Sequence, residues 1–375
     1  MPSPLSPGQP LPWFHAAALE GRPDYAIDTV AGRWVLMLFA GMASHETCRP
    51  ALELVAQNRA LFDDRRACFF GVTTDPADAA NGQIAQHIPG IRWLLDYDRA
   101  VSVVCGASAA EGEKVMYRPH WLLLDPLLRV HRREPIGNGA AVLDDLRERV
   151  AHPLPMLGAP VLTVPGILPP ELCRRLIQLF EAGGGRESGF MREENGITVE
   201  KVDHGHKRRA DYAIDDEQLI GSIKTLLTVS LRPMIQRAFQ FDATRIERWI
   251  VACYDAQVGG HFRPHRDNTT KGTAHRKFAC TINLNAEDYD GGDLRFPEFG
   301  PQSYRAPTGG AVVFSCSLLH EAMPVTRGRR YAFLPFFYDE DGARLRERNL
   351  RYTAPELQNY RSGLAPESTA ASPPD

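Results

Sequence analysis

Residues 261–268, with the sequence HFRPHRDN, concentrate side chains that could do chemistry. Two histidines and an aspartate lie within seven positions, directly after a pair of glycines and around a proline. Such a stretch is typical of a metal site, of a hydrolytic acid/base cluster, or of a polar turn between two strands. Residues elsewhere in the chain must distinguish these three interpretations.

His265 and Asp267 are two residues apart, so on an extended backbone their side chains point to the same side of a sheet. His320 ends the apolar run AVVFSCSLLH, where we expect a buried strand to deliver its last side chain to the mouth of a barrel. Two histidines and one carboxylate are the ligand set of non-heme Fe(II) oxygenases, which leaves positions for a bidentate cosubstrate and dioxygen. This set favours a reactive iron site.

Two alternatives compete with the iron site. A zinc hydrolase would need His261 and His265 on one face of a helix, but the preceding glycines and the proline between them disfavour a helix there. A His-x-Asp pair by itself is also typical of a solvated turn. Arg330 favours the iron site, because its guanidinium can pair with a dicarboxylate at the start of an apolar strand. A surface basic pair, Arg329 and Arg330, is the other interpretation of that arginine.

Composition sets outer limits on function. The chain has 375 residues, which predicts two domains, and a net charge of -3, which gives no basic field for nucleic acid or an anionic membrane. We therefore expect a peptide or small-molecule substrate.

Seven cysteines without a Cys-x-x-Cys pair predict reduced thiols in a cytoplasm. We find no targeting segment and expect a cytoplasmic protein with no membrane span, while the oligomeric state stays open.

The N-terminal half alternates strand and helix patterns. Residues 33–40 form an apolar run, and the helical pattern CRPALELVAQNRALFDD follows. ACFFGVTTDP and HWLLLDPLLRV predict further buried strands, and AVLDDLRERV predicts a closing helix. The pattern predicts an α/β domain with a partly parallel sheet over residues 1–155. The proline-rich segment HPLPMLGAP predicts a linker that extends to about residue 160.

The C-terminal half is mainly β. After a helix in PPELCRRLIQLFEAGG come short β-branched or aromatic runs separated by glycine, aspartate and asparagine turns. Several strands without intervening helices predict a double-sheet or barrel-like domain, such as a jelly roll, over residues 161–345. Residues 346–375 are expected to form a polar tail, and its proline-rich end is predicted to be disordered.

Four segments of this half occur in the order typical of one enzyme family. VACYDAQVGGHFRPHRDN, TINLNAEDYDGGDLRFPEFG, APTGGAVVFSCSLLHEAMPV and GRRYAF resemble the Fe(II)/2-oxoglutarate dioxygenases of the prolyl 4-hydroxylase type, over residues 161–340. The resemblance implies a double-stranded β-helix, which is a jelly roll. It also assigns roles to particular residues: iron ligands at His265, Asp267 and His320, a partner of the distal 2-oxoglutarate carboxylate at Arg330, a neighbour of that cosubstrate at Tyr254, and an arginine near the substrate at Arg276.

The same resemblance implies a reaction. 2-Oxoglutarate would be decarboxylated to succinate while a C–H bond, for example in a prolyl residue, is hydroxylated, with Fe(2+), 2-oxoglutarate and L-ascorbate as cofactors. Asn283 departs from the family, which has an aromatic residue there, and Arg330 replaces a lysine as in the oxygen-sensing subgroup. The loop NTTKGTAHRK is either a lid over the substrate or a solvated loop. A catalytically dead binding protein would require a vestigial metal site.

A second resemblance concerns the N-terminal half. WVLMLFAGMASHETCRPALELV places Cys48 at a strand-to-helix turn, where a helix N-terminus can lower the pKa of a thiol. Residues 12–130 resemble the thioredoxin-like peroxiredoxins, and Arg118 matches their active-site arginine. Gly41 and His45 stand where that family has a proline and a hydroxyl residue. Two alternatives follow: a thiol peroxidase that uses Cys48, which makes the protein bifunctional, or a thioredoxin-like fold kept for scaffolding or substrate recruitment.

Overall fold

The computed structural model describes residues 4–21, 23–111, 114–152, 157–357 and 362–363. The chain divides into two compact units, the first made of residues 1–158 and 297–301 and the second of residues 159–296 and 302–375. The linker predicted in HPLPMLGAP includes residues 153–156, which lie outside the described residues, as does the domain boundary predicted at residue 155. Among the described helices, none has the length and apolar content required to cross a membrane.

The first unit is a seven-stranded sheet covered by helices. Its strands are β1 His15–Ala18, β2 Tyr25–Ala26, β3 Trp34–Gly41, β4 Ala67–Thr73, β5 Ile91–Leu95, β6 Ser108–Glu111, β7 Lys114–Tyr117, β8 His120–Leu124 and β9 Val130–Pro135, of which β6 and β7 form a separate hairpin. Its helices are α1 Arg49–Gln57, α2 Pro76–Ala80, α3 Ala100–Val104 and α4 Gly139–Ala151.

The sheet order is β2-β1-β5-β4-β3-β8-β9, in which β3, β4 and β5 are parallel and the other neighbours are antiparallel. β3 and β4 are apolar and buried on both faces, as parallel strands between helices must be. One side of this sheet packs on α1 and α4 through Val55, Leu143 and Leu146. The predicted thioredoxin-like α/β class with a partly parallel sheet is confirmed.

The second unit contains helices and two main antiparallel sheets, and strands both precede and separate its first helices. The helices are α5 Pro170–Gly183, α6 Glu217–Leu226, α7 Arg232–Phe239 and, at the end, α8 Glu340–Asn349. The strands are β10 Leu162–Val164, β11 Arg186–Glu187, β12 Phe190–Glu194, β13 Ile197–Lys201, β14 Lys207–Arg208, β15 Ala210–Ala213, β16 Arg245–Glu247, β17 Ile250–Asp255, β18 His261–His265, β19 Phe278–Asn283, β20 Asp290–Gly291, β21 Leu294–Arg295, β22 Ser303–Tyr304, β23 Ala311–Ser315, β24 His320–Ala322, β25 Val325–Arg327, β26 Arg329–Phe333, β27 Phe336–Tyr338 and β28 Ser362–Gly363.

The larger sheet has the order β11-β15-β17-β26-β19-β27-β16-β28, with β23 and β10 joined through β19. The smaller sheet has the order β14-β18-β24-β21-β22. The helices cover the larger sheet, where Leu176, Ile223 and Ile235 pack with Val251 and Phe333 in one core. This arrangement confirms the predicted jelly-roll class.

Two local predictions differ from the structure. The apolar run before His320 is not one strand: β23 ends at Ser315 in the larger sheet, a turn follows, and His320 opens β24 in the smaller sheet. The turn forms because the amide of Leu318 bonds to the carbonyl of Ser315 at 3.0 Å. The end of the domain also differs from residue 345, because α8 continues to Asn349 and the apolar side chain of Leu357 is buried.

Candidate metal centre

His265 and His320 face each other across two neighbouring strands. His265 is the last residue of β18 and pairs with His320, the first residue of β24. The centroids of their rings therefore lie 4.3 Å apart. Asp267 follows β18 in a bend, and its Oδ1 and Oδ2 lie 3.5 Å and 3.3 Å from the Nε2 atoms of His265 and His320. The three candidate ligand atoms lie within 4.8 Å of one another. The structure therefore brings together the three residues predicted as ligands.

Hydrogen bonds fix which nitrogen of each ring faces the site. Nδ1 of His265 lies 2.7 Å from the carbonyl of Arg263, and Nδ1 of His320 lies 3.0 Å from the carbonyl of Leu318. A carbonyl can only accept, so each Nδ1 carries the proton and each Nε2 has a lone pair available for a bound metal ion. Ligating histidines are commonly oriented in this way. Two such nitrogens and one carboxylate fit Fe(II).

The electrostatics of the cluster suit a cation. Burial lowers the pKa of His265 to about 4, and the neighbouring His320 adds to this effect. His265 is therefore neutral near neutral pH, as a metal ligand must be. Burial would raise the pKa of Asp267, but the neighbouring His320 and His265 hold it well below its usual value. Asp267 therefore supplies one negative charge.

A cavity opens beside the three candidate ligands, which are among its lining residues. Arg330 lines it and is only 2% exposed, and its Nε and Nη1 are buried without a hydrogen-bond partner among the described residues. A buried guanidinium with unsatisfied donors calls for an anion, and a carboxylate is its best geometric match. The distal carboxylate of 2-oxoglutarate fits this position.

Tyr254 lies beside Arg330, as predicted for a neighbour of the cosubstrate. The two residues are partners in the register of β17 and β26, and the Arg330 guanidinium lies 5.1 Å from the Tyr254 ring. Tyr289 adds a second buried phenol, whose hydroxyl donates to Oδ1 of Asn283 at 3.4 Å. Burial raises the pKa of Tyr289, and the nearby Arg330 opposes this effect. Tyr289 thus provides an aromatic hydroxyl close to Arg330, although Asn283 replaces the family's aromatic residue.

Arg276 lies behind the cavity wall, and its role as an arginine near the substrate stays a prediction. It is not among the residues that line the cavity, and its Nε donates to Oε1 of buried Glu247 at 2.6 Å. Nε2 of His275 lies 2.7 Å from the other carboxylate oxygen of Glu247. The Arg276 guanidinium also lies 4.1 Å from the ring of Phe336, and that ring lines the cavity. Arg276 therefore supports the cavity wall from behind.

Replacing Glu247 by Gln is expected to destabilise the second unit by about 3 kcal/mol, because the change leaves Arg276 buried without a counter-charge. Burial opposes ionisation of Glu247, but Arg276 holds its pKa far below 4.5. The stabilisation is therefore complete above about pH 4.5 and is lost as the pH falls through the lowered pKa. Urea-induced unfolding of the wild type and of Glu247→Gln, at a series of pH values from 8 downward, measures this difference in the free energy of unfolding.

Glu340→Gln is the matched control, because Glu340 forms an exposed ion pair with Arg245. We expect it to cost less than about 1 kcal/mol. A Glu247→Gln variant as stable as this control at pH 7 would contradict the buried pair's importance.

The loop NTTKGTAHRK is packed in this structure. Thr270 and Thr273 are buried, the amide of Gly272 donates to Oγ1 of Thr198 at 2.9 Å, and the amide of Lys271 donates to Glu193 at 3.3 Å. The loop is therefore held against the β12–β13 hairpin, which disfavours the solvated-loop interpretation. Its role as a lid stays a prediction.

Sequence analysis missed two arginines, Arg209 and Arg248, which also line the cavity. Arg209 directly precedes β15, and Arg248 lies between β16 and β17. The only sequence signal was the i, i+2 spacing of Arg209 and Asp211, which places both side chains on one side of an extended chain. That spacing is too common to indicate a site.

The surroundings of Cys48 disfavour the ionised form of its thiol. Cys48 ends a short 3-10 helix before α1 and is 0% exposed, and its Sγ lies 3.5 Å from the carbonyl oxygen of Ala40. Burial raises the pKa of its thiol, and this effect exceeds the opposing hydrogen bond from Thr47. Desolvation of the thiolate therefore opposes the expected effect of the helix N-terminus, which stays a prediction. All seven cysteines are free and buried.

The surroundings of Cys48 also differ from the expected pattern. Gly41 has a φ of 72°, which a proline cannot adopt, and a side chain there would collide with the ring of Tyr117. His45 is exposed and its Nδ1 accepts from the amide of Thr47 at 3.3 Å. Arg118 is exposed. Burial lowers the pKa of Arg133, and the charge of Arg118 lowers it further. Burial and the charge of Asp78 raise the pKa of Cys48, and the hydrogen bond with Thr47 lowers it.

Residues 249–338 match the sequence model of a family described as the 2OG-Fe(II) oxygenase superfamily. This stretch contains all three candidate ligands, Tyr254 and Arg330. The second unit therefore contains a 2OG-Fe(II) oxygenase domain, and the resemblance predicted from the sequence is confirmed.

Known proteins are similar to separate parts of the chain. A PKHD-type hydroxylase of Synechococcus is 37% identical over 89 residues, which are 22% of this chain and 39% of the relative. A prolyl hydroxylase of Trichoplax adhaerens, solved with a peptide fragment, is 18% identical and covers 49% of this chain and 86% of its own, with a TM-score of 0.40. AhpC of Mycobacterium tuberculosis is 21% identical and covers 39% of this chain and 94% of its own, with a TM-score of 0.32. The chain spans about two fifths of the length of the curated relative.

Proposed function

We propose that this protein is a dioxygenase that hydroxylates a C–H bond and decarboxylates 2-oxoglutarate to succinate. One observation carries the proposal: a cluster of two histidines and one aspartate shares a cavity with Arg330, whose buried guanidinium has unsatisfied donors. The first feature fits Fe(II), and the second fits the far end of a dicarboxylate cosubstrate.

The residues of the site have separate roles in this proposal. His265, Asp267 and His320 would hold Fe(II), and when bound, Fe(II) and 2-oxoglutarate supply the activation of dioxygen that C–H hydroxylation requires. Arg330 orients the cosubstrate by pairing with its distal carboxylate, and the ring of Tyr254 packs beside that pair. The protein's share of catalysis is therefore positioning.

Apolar side chains around the cluster exclude water from the reaction. Phe262, Leu294, Phe314, Leu334 and Phe336 line the cavity together with the ligands. The ring of Phe262 stacks on that of His265 with 3.4 Å between centroids, and the ring of Phe314 lies 4.5 Å from that of His320. Exclusion of water protects a reactive oxidant and strengthens the charge pairs inside the cavity.

A prolyl residue in a peptide is the substrate that we propose, on the likeness of four ordered segments to the prolyl 4-hydroxylases. Cytoplasmic location and support of the iron by L-ascorbate belong to the same proposal. Mass spectrometry of lysate peptides and metabolites, incubated with the protein, tests it. We expect an addition of one oxygen atom that requires both Fe(II) and 2-oxoglutarate. Substrates that gain oxygen only at residues other than proline would overturn the prolyl assignment.

We do not assign a peroxidase function to the first unit, because the Cys48 thiol is buried and its pKa is raised. Cys48→Ser is therefore expected to leave 2-oxoglutarate turnover unchanged. We expect slow consumption of hydrogen peroxide by the wild type and only a slight decrease in the variant. Parallel assays of succinate and of peroxide on wild type and variant measure both effects. Fast peroxide consumption that disappears in the variant would show that the bifunctional alternative is correct.

A further inference from the structure

Tyr289 is a buried phenol whose hydroxyl has two polar neighbours. The residue is 2% exposed and belongs to the same apolar cluster as Tyr254. Its hydroxyl donates to Oδ1 of Asn283 at 3.4 Å. Burial raises the pKa of Tyr289, whereas the charge of Arg330 and a hydrogen bond with its guanidinium lower it. The hydroxyl of Tyr289 therefore contacts both Asn283 and Arg330.

A backbone carbonyl fixes the orientation of the Asn283 side chain. Its Nδ2 donates to the carbonyl of Ala306 at 2.7 Å, so Oδ1 is the atom that faces Tyr289. Because an amide oxygen can only accept, the phenol gives its proton to Asn283. The lone pairs of the phenol oxygen then remain for the guanidinium of Arg330, which can only donate. The contacts form a directed chain of hydrogen bonds from Arg330 through Tyr289 and Asn283 to Ala306.

Arg305 holds the segment that carries Tyr289. Its Nη1 donates to the carbonyls of Ala286 and Tyr289, both at 3.0 Å, and its Nε donates to Oδ1 of Asp293. Its Cζ also lies 4.3 Å from the centroid of the Tyr289 ring. These contacts fix both the backbone and the ring, so the hydroxyl of Tyr289 is kept beside Arg330.

Gly292 leaves room for Tyr289 and Arg330 to meet. A Cβ atom at this position would lie 2.8 Å from Cγ2 of Val325, 3.1 Å from Cδ of Arg330 and 3.4 Å from Cε2 of Tyr289. The φ of Gly292 is 69°, in the left-handed region that favours glycine. The close approach of the tyrosine and the arginine thus depends on a residue without a side chain.

A fixed acceptor at one part of the Arg330 guanidinium determines where its other donors point. Nε and Nη1 of Arg330 are buried without a hydrogen-bond partner among the described residues, and Arg330 lines the cavity. A guanidinium pairs with a carboxylate through two parallel bonds, which requires a defined orientation of the group. Partners that orient a binding group in this way raise its affinity for the ligand. Tyr289 can serve as such a partner.

We propose that Tyr289 and Asn283 are positioning residues for Arg330, and that their hydrogen bonds hold the guanidinium in the orientation that binds the distal carboxylate of 2-oxoglutarate. This inference rests on the proposed function, because it takes Arg330 to bind that carboxylate. It also gives a role to Asn283, the position at which the chain departs from the family that it resembles. Asn283 affects the cosubstrate only through Tyr289.

Binding of two 2-oxo acids tests the inference without requiring turnover. The full chain is loaded with Mn(II) without oxygen and titrated with 2-oxoglutarate or with 2-oxopentanoate, which has the same carbon chain but no distal carboxylate. The dissociation constant of 2-oxopentanoate divided by that of 2-oxoglutarate gives the preference for the distal carboxylate. We expect Tyr289→Phe to lower this preference on the order of tenfold, because a hydrogen bond to a charged group is lost. Binding of 2-oxopentanoate should not change.

Further variants separate the two positioning residues. Asn283→Ala should lower the preference roughly threefold, because it removes a hydrogen bond between neutral groups. The double variant should match Tyr289→Phe, since Asn283 has no effect once the hydroxyl is absent. Tyr331→Phe is the matched control, because Tyr331 is also buried and directly follows Arg330, but its hydroxyl donates to Glu181 and it does not line the cavity. It should keep the wild-type preference.

A wild-type preference in Tyr289→Phe overturns the inference. An equal loss of affinity for both acids also overturns it, because the effect would then be independent of the distal carboxylate. Losses that multiply in the double variant would show that Asn283 does not act through Tyr289. A wild type that binds both acids equally well has a different meaning, since it rejects Arg330 as the site of the distal carboxylate and with it the proposed use of 2-oxoglutarate.

Discussion

Alanine at His265, Asp267 or His320 is expected to abolish 2-oxoglutarate turnover while the second unit stays folded. Each residue supplies one of the three ligand atoms that lie within 4.8 Å of one another. Loss of a residue that merely orients a ligand commonly costs 10–100-fold in metal affinity or activity, so loss of a ligand should cost at least about a hundredfold. Succinate formation and bound iron, measured on the same preparations, test the prediction.

His261→Ala is the control for these variants. His261 belongs to the same strand, but its Nδ1 lies 2.7 Å from the carbonyl of Gly259 and it is not part of the ligand cluster. We expect its iron content and turnover to match those of the wild type. Wild-type iron binding and turnover in all three ligand variants would refute the assignment of the metal centre.

Arg330→Ala is expected to weaken binding of 2-oxoglutarate by roughly 2–5 kcal/mol, the usual cost of removing one partner of a buried charge pair. This corresponds to an increase of the dissociation constant by about 30-fold to several thousandfold. Arg330→Lys should bind with intermediate affinity, because it keeps the charge but loses the paired donors. Titration of 2-oxoglutarate into protein loaded with Mn(II) measures the constants.

The neighbouring Arg329 provides the control for Arg330. It is exposed and pairs with Asp255 at 2.8 Å and Glu181 at 3.3 Å, outside the cavity. Arg329→Gln should therefore bind 2-oxoglutarate like the wild type. If Arg330→Ala also retained wild-type affinity, the distal carboxylate would have to lie elsewhere, and Arg209 would be the next candidate.

The sequence predicted much of the fold because its strands and helices have clear periodicities. β3, β4 and β19 are buried apolar runs, and α5 begins at a proline and ends at Gly183. Such signals are local and need no knowledge of tertiary contacts. The connection before His320 was missed because its signal is short: only Ser315 and Ser317 interrupt the apolar run where the chain crosses from one sheet to the other.

The metal and dicarboxylate positions could be predicted because residue type alone limits their chemistry, whereas burial decides the roles of other residues. Two histidines, an aspartate and a following arginine indicate a metal and a dicarboxylate by their chemistry. Cys48 and Arg276 depend on surroundings that no motif encodes: desolvation raises the pKa of the thiol, and Glu247 holds the arginine. Arg209 and Arg248 became candidates only when the fold placed both beside one cavity.

The most direct test of the central claim follows the oxygen atoms of 2-oxoglutarate turnover. Purified protein is incubated with Fe(II), 2-oxoglutarate and dioxygen labelled with a heavy isotope, and the succinate is analysed by mass spectrometry. Because oxidative decarboxylation places one atom of dioxygen in succinate, we predict succinate with one labelled oxygen in the wild type and none above background in Asp267→Ala. Absence of labelled succinate from the wild type, or equal amounts from both proteins, would contradict the dioxygenase function.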